Sequence, residues 1–173
     1  RRSKEAHLAA ACDEVQRAAG RAPVPATVAA GLLEAFDRLA PHAGARVAVR
    51  SSAIGEDTRA SHAGQYRTVL RVDRDGLLDA YRTVLASTYS CAAVAYRFEH
   101  QFGAAAPLMA VGVLDMIAPR CSGVLFSRRP EAPAEDAIVV AAVPGLAAGL
   151  AAGEADAALE VIEPGRTRSG PSL

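Results

Sequence analysis

The hydrophobic pattern changes its period near residue 46, and this change limits the folds open to the chain. Between residues 4 and 40, apolar side chains recur every three or four positions, as they do along one face of a helix. The positions are Leu8, Cys12, Val15 and Ala19, then Val28, Leu32, Phe36 and Leu39. Over residues 46–50, Arg-Val-Ala-Val-Arg, the large apolar side chains recur at every second position, as they do in a strand. The pattern predicts a helical pair over 4–40 and an α/β portion over 46–163.

The rest of the chain alternates between the two periods. We expect a strand over 66–72, a helix capped by Asp75 and another helix capped by Ser90. Two apolar runs, 108–117 and 121–126, are joined by Ala118-Pro119-Arg120, which predicts a hairpin. Further strands are expected over 137–143 and 159–162, and residues 164–173 read as a frayed tail. The fold class is therefore α/β (α+β) with a mixed sheet, in a single domain.

Composition excludes several classes of function. The formal net charge is zero, from 19 basic and 19 acidic residues, so no bulk field draws the chain to nucleic acid or to an anionic membrane. Charged residues make up 22% of the sequence, and the longest stretch without one, residues 137–153, is broken by Pro144 and Gly145 and falls short of the about 20 apolar residues that a transmembrane helix needs. The first residue is Arg1 rather than Met, and we expect a fragment.

The three cysteines, Cys12, Cys91 and Cys121, are far apart and lack metal-ligand spacing, as do the histidines, so no metal site is predicted. We expect Cys91 and Cys121 to be buried as small apolar side chains. An odd number of separated thiols is typical of a reducing compartment, which indicates a cytoplasmic location.

The segment with the most chemical content is 47–57. Arg50 stands at the end of a predicted strand and is followed by Ser51, Ser52 and a loop that contains glycine. A guanidinium beside hydroxyls and free backbone N–H groups suits a phosphate. The alternative is structural, because Arg50 could instead form an ion pair with Glu56 or Asp57 and hold the loop to the sheet.

This segment resembles a known family. The run V-A-V-R-S-S-A-x-x-E-D at 47–57, followed by S-x-A-G-Q at 61–65, is similar to the ATP-binding domain of pyruvate phosphate dikinase, phosphoenolpyruvate synthase and rifampin phosphotransferase. The later segments 92–97, 109–117 and 122–127 fall in the family's order. The resemblance covers roughly residues 20–163.

The resemblance implies a partial ATP-grasp domain, in which ATP lies between two lobes and passes a phosphoryl group to a histidine on a separate domain. Arg50 matches the family's phosphate-contacting arginine, and Gly64 and Thr68 match positions that line the same nucleotide site. The strand 111–117, which includes Leu114, would lie beside the adenine. ATP and Mg²⁺ are the implied cofactors, and the phosphohistidine and substrate domains of a parent protein are the implied partners. The metal-binding groups fall in family segments outside this sequence.

Several positions depart from the family pattern. Leu114 stands where relatives usually carry glutamine, and Ala147 and Ala148 replace the end of a Gly-Leu-Gly-Glu run. Two hypotheses therefore remain: the ATP-binding portion of a dikinase-type phosphotransferase that is inactive by itself, or a degenerate relative that acts as a scaffold or interaction module.

Overall fold

A computed structural model describes residues 2–53, 66–99, 108–132, 134–151 and 158–162. The chain divides into two compact units, Arg1–Met116 and Ile117–Leu173. Helices and strands occur together, which confirms the predicted α/β (α+β) class, and the expected mixed sheet takes the form of two antiparallel sheets.

Among the residues that the structure describes, the first unit contains four helices, a short 3₁₀ turn at Ser87–Tyr89 and a three-stranded antiparallel sheet in the order β2-β1-β3. The helices are α1 (Arg2–Arg21), α2 (Ala26–Leu39), α3 (Leu77–Ala86) and α4 (Cys91–Glu99). The strands are β1 (Val47–Ala53), β2 (Thr68–Val72) and β3 (Met109–Asp115).

One face of this sheet forms the core with α2 and α3. Val47 and Val49 of β1 are fully buried against Leu77 and Val84 of α3 and against Phe36 of α2. Side chains alternate between the two faces of a strand, so the same valines fix which residues of β1 point away from the core. The helix α1 packs on α3 and α4, and α2 packs on α3 and β3, rather than chiefly on each other as the sequence suggests.

The helix α3 is not capped as predicted. Gly76, not Asp75, occupies the N-cap position, and Asp73 Oδ1 accepts a hydrogen bond from the Gly76 N–H at 2.9 Å. Asp73 thus makes the local side-chain bond that the sequence assigns to Asp75. The second predicted cap is confirmed, because Ser90 Oγ accepts a hydrogen bond from the Ala93 N–H at 3.2 Å.

In its described part, the second unit has a three-stranded antiparallel sheet in the order β4-β5-β6 and one short helix. Its elements are β4 (Cys121–Phe126), β5 (Ile138–Pro144), α5 (Ala148–Ala151) and β6 (Ala158–Ile162). The predicted hairpin between the two apolar runs is wrong: β3 pairs with β1 and β4 pairs with β5, so the runs belong to different sheets. Within the described ranges, no helix is both long and apolar enough to cross a membrane.

Candidate functional site

Three of the four predicted site residues lie on one face of the β2-β1-β3 sheet. Arg50 of β1 is directly opposite Thr68 of β2 and Gly112 of β3. Leu114 of β3 is opposite Ala48, which lies two residues before Arg50 and so shares its face. The core valines occupy the other face. We call the face that carries Arg50, Thr68, Gly112 and Leu114 the open face.

Arg50 occupies the central strand of the open face, and its side chain is exposed. Directly opposite residues in antiparallel strands have Cβ atoms about 5 Å apart. A guanidinium on β1 and a hydroxyl on β2 are therefore close enough to contact one small anion.

The start of β2 is held by a buried hydroxyl. Ser87 Oγ accepts a hydrogen bond from the Arg67 N–H at 3.1 Å and donates one to the Val84 carbonyl at 2.6 Å. Ser87 is only 1% exposed, so these bonds are shielded from water. Thr68 follows Arg67 directly, and its position opposite Arg50 is fixed by this contact as well as by the sheet.

Farther along β2, one extra residue interrupts the pairing with β1. Val49 is opposite Val69 but Val47 is opposite Val72, and Arg71 between them has a positive φ of 58°. This is a β-bulge, which bends and twists a strand locally. The irregular part of β2 is thereby kept at the end away from Thr68, and the pairing of Thr68 with Arg50 remains regular.

On the β3 side of Arg50, the open face carries first a residue without a side chain, Gly112, and then an apolar residue, Leu114. Gly112 lies opposite Arg50, and a methyl group added there would be 3.6 Å from Leu114 Cδ1 and 3.9 Å from the Arg50 carbonyl oxygen, which is ordinary van der Waals contact. Leu114 is 45% exposed. Leu114 is diagonal to Arg50, one strand across and two residues along, so the backbone positions of the cation and of the apolar side chain are about 7–8 Å apart on this face.

Gly112 is the member of the site that sequence reasoning missed. A glycine inside a strand marks a place where another backbone or a ligand approaches closely. No neighbour in the described structure requires glycine at this position, since a methyl group meets only ordinary contacts. The signal was present in the sequence, but only the register shows that Gly112 faces Arg50.

The remaining predicted site residue, Gly64, lies outside the described residues, as do Glu56, Asp57 and His62. The alternative in which Arg50 pairs with Glu56 or Asp57 is therefore still a prediction. The same holds for the role of the loop that follows β1.

Other candidates are placed in ways that do not form a second site. Arg129 Nη1 donates a hydrogen bond to Glu135 Oε2 at 2.9 Å within its own loop. Cys121 is exposed and Cys91 is half-buried, so the expectation that both are buried is wrong, whereas Cys12 is buried. Among the described residues, no group of three His, Cys, Asp or Glu side chains is placed to hold a metal ion.

Comparison with known proteins gives a consistent result. The sequence profile described as the pyruvate phosphate dikinase AMP/ATP-binding domain matches residues 1–159. Phosphoenolpyruvate synthase of Aeropyrum pernix is 37% identical over 131 residues, which is 73% of this chain and 16% of that protein. The phosphoenolpyruvate synthase of Deinococcus radiodurans is 34% identical over 143 residues, 80% of this chain and 18% of that protein.

A probable phosphoenolpyruvate synthase of Methanothermobacter thermautotrophicus is 33% identical over 135 residues, or 75% of this chain and 20% of that protein. The aligned part of the chain thus spans a fifth or less of the length of these curated relatives.

Proposed function

Because the chain belongs to the pyruvate phosphate dikinase AMP/ATP-binding domain family, we propose that it is the ATP-binding portion of a dikinase-type phosphotransferase and binds ATP on the open face. One observation carries this proposal: the register that puts Arg50 between Thr68 and Gly112 on the face opposite the core. A guanidinium and a hydroxyl on neighbouring strands, beside a residue that lacks a side chain, form a surface suited to a phosphate.

The phosphates contact Arg50 and Thr68 in this proposal. The guanidinium supplies N–H donors in a planar fork, which matches two oxygens of one phosphate, and the Thr68 hydroxyl donates a further hydrogen bond. Gly112 leaves room for the phosphate chain next to the central strand, and Gly64 is proposed to let backbone approach from the loop after β1.

The nucleoside lies toward Leu114. An exposed leucine offers contact to the flat face of a base but no hydrogen bond to its edge. Recognition of the base edge therefore falls to backbone groups of the segment 111–117. Because the leucine side chain makes no hydrogen bond to the base, we expect this arrangement to discriminate only weakly between adenine and other purine bases.

The later chemistry requires groups beyond these residues. We propose that ATP is held by a partial ATP-grasp domain that spans the chain, and that the phosphoryl group passes to a histidine on another domain of the parent protein, in the cytoplasm. Phosphoryl transfer depends on positioning and on neutralising charge. The described strands place Arg50 and the hydroxyls of Thr68 and Ser52 on the open face, and the remaining positioning groups must come from elsewhere, so the chain alone is expected to bind nucleotide without turnover.

Isothermal titration with Mg-ATP tests the binding proposal. Charge-assisted hydrogen bonds contribute about 1.5–3 kcal/mol, so Arg50→Ala should weaken ATP binding about 10- to 100-fold. Thr68→Val should weaken it less, by about 2- to 10-fold. The matched control is Arg38→Ala, which removes an exposed arginine bonded to Glu34 on α2 and should leave the affinity unchanged. Equal affinities for wild type and Arg50→Ala would refute the proposal.

A non-catalytic relative is the second candidate, and Leu114 is the observation that favours it. An apolar side chain with 45% exposure on the β3 strand of a nucleotide-binding face gives up a polar contact. If the chain serves as a scaffold or interaction module, titration at millimolar ATP will give no binding heat for wild type or for any variant. Measurable binding that depends on Arg50 would remove this alternative.

A further inference from the structure

Buried polar residues lie together next to the start of β2. Among the residues that the structure describes, three polar or charged residues are buried: Ser87, Thr88 and Arg97, with 1%, 3% and 4% of their surface exposed. Ser87 and Thr88 belong to the 3₁₀ turn between α3 and α4, and Arg97 lies on α4. A buried polar group is tolerated only when it is hydrogen-bonded, so the bonds of these three residues define what the cluster does.

Hydrogen bonds connect this turn to both helices and to β2. Arg97 Nη1 donates a hydrogen bond to the Thr88 carbonyl at 2.7 Å, which ties the turn to α4. Ser87 Oγ donates to the Val84 carbonyl of α3 at 2.6 Å and accepts from the Arg67 N–H at 3.1 Å. The Arg67 peptide group is therefore held by α3 directly and by α4 through one short turn.

The bond from the Arg67 N–H affects the open face, because Thr68 is the next residue and lies opposite Arg50. Within the described residues, β2 is an outer strand and pairs only with β1. Ser87 therefore supplies, on the other side of the start of β2, a bond that a second neighbouring strand would otherwise provide. The peptide plane is rigid, so a shift at Arg67 moves the Thr68 hydroxyl with it. A displacement of about 1 Å is enough to lose a well-formed contact with a ligand.

We propose that Ser87 and Arg97 are positioning residues for ATP binding: they hold the start of β2 so that the Thr68 hydroxyl meets the phosphate bound by Arg50. Both residues are buried, and neither contacts the nucleotide. This inference rests on the proposed function and names the residues that maintain the geometry of its site. Because both act through Thr68, neither can change ATP affinity by more than the Thr68 hydroxyl contributes.

A double-mutant cycle tests the proposal by isothermal titration of the 173-residue chain with Mg-ATP. Ser87→Ala should weaken ATP binding by about 2- to 10-fold, the range expected for loss of the Thr68 hydroxyl. In a chain that already carries Thr68→Val, Ser87→Ala should change the affinity by less than about 1.5-fold, because no hydroxyl remains to be positioned. The matched control is Thr83→Val, which removes a hydroxyl bonded to the Asp79 carbonyl within α3 at 2.8 Å and should leave the affinity unchanged in both backgrounds.

Variants of Arg97 provide a second test, with rescue by a conservative replacement. Arg97→Met removes the donor to the Thr88 carbonyl and should weaken ATP binding by up to about 10-fold. Arg97→Lys should bind within about 2-fold of wild type, since one donor is enough for this carbonyl and an ammonium supplies it.

Hydrogen exchange of the Arg67 amide gives a measurement that does not depend on ATP. In folded Ser87→Ala this amide should exchange about 2- to 10-fold faster than in wild type, because its hydrogen-bond acceptor is gone. Amides of α2 should keep their protection, which shows that the chain remains folded.

The results distinguish this inference from the function on which it rests. Absence of ATP binding by the wild-type chain would refute the proposed function and the positioning role with it. ATP binding that depends on Arg50 but is unaltered by Ser87→Ala would overturn the positioning role alone. Equal losses from Ser87→Ala with and without the Thr68 hydroxyl would also overturn it, because Ser87 would then act on affinity by a route other than Thr68.

Discussion

Replacing Gly123 by alanine should destabilise the second unit, because β4 and β5 approach too closely at this residue for any side chain. Gly123 is opposite Ala142, and a methyl group on it would be 2.5 Å from the Ala141 carbonyl oxygen and 3.3 Å from the Ala142 Cα. Both neighbours are backbone atoms, which no rotamer change can move. The strands must separate locally to admit the methyl group.

The loss of stability in Gly123→Ala can be estimated from the contacts that are weakened when β4 and β5 separate. Overpacking in a tight site costs about 1–3 kcal/mol, and one or two weakened ladder hydrogen bonds give a similar figure. Since 1.4 kcal/mol corresponds to a factor of 10, amides of β4 and β5 should exchange hydrogen about 5- to 150-fold faster.

Gly31→Ala is the matched control, since it adds the same methyl group where nothing lies within 4 Å. Gly31 is exposed inside α2, where alanine is favoured over glycine by about 1 kcal/mol. Exchange of α2 amides should therefore become about 5-fold slower.

Hydrogen exchange read by mass spectrometry distinguishes the two units, which a global unfolding signal would merge. We expect faster exchange in the β4 and β5 peptides of Gly123→Ala and slower exchange in the α2 peptides of Gly31→Ala. Exchange in the other peptides of each variant should be unchanged. Unchanged protection of β4 and β5 in Gly123→Ala would show that the close approach is wrong, and with it the pairing of Gly123 with Ala142.

Three further predictions concern the first unit. Arg97 is 4% exposed, and its Nη1 donates a hydrogen bond to the Thr88 carbonyl at 2.7 Å. Arg97→Met should therefore lower the free energy of unfolding, measured by urea titration, by about 1–3 kcal/mol. An unchanged urea midpoint would contradict this prediction. The hydrogen bond from Arg74 holds the pKa of the Asp37 carboxyl below its usual range, so this contribution to stability is present above the ordinary pKa of aspartate and is lost as pH falls through the lowered value. The urea midpoints of wild type and Asp37→Asn should therefore differ at neutral pH and converge in acid, whereas a constant difference would refute the assignment. Arg71 has a left-handed backbone, so Arg71→Val should destabilise by about 1–2 kcal/mol and Arg71→Gly should not, by the same urea titration; equal effects would argue against the bulge.

The local spacing of apolar residues was sufficient to predict most of the helices and strands. The helical spacing in α1 and α2 and the alternation in β1 depend on which residues can face a core, and this information lies within a few neighbouring positions. The prolines at 25 and 41 lie just outside α2 at its two ends, as their fixed φ and missing N–H would require.

Partners distant in sequence could not be predicted in this way. The two apolar runs around Pro119 look like a hairpin because the turn signal is local, yet β3 pairs with a strand some 60 residues earlier. For the candidate site, the sequence predicts Arg50, Thr68 and Leu114, whereas the position of Gly112 opposite Arg50 follows from strand register alone.

The central claim, that the open face binds nucleotide, is tested most directly by methyl NMR of a leucine-labelled chain titrated with Mg-ATP. The signals of Leu114 should shift with saturation, while those of Leu32 and Leu33, which pack against the core, should not. In Arg50→Ala the Leu114 shift should require far higher ATP concentrations. Saturable shifts that leave Leu114 unmoved, or a Leu114 response that is the same without Arg50, would contradict the account.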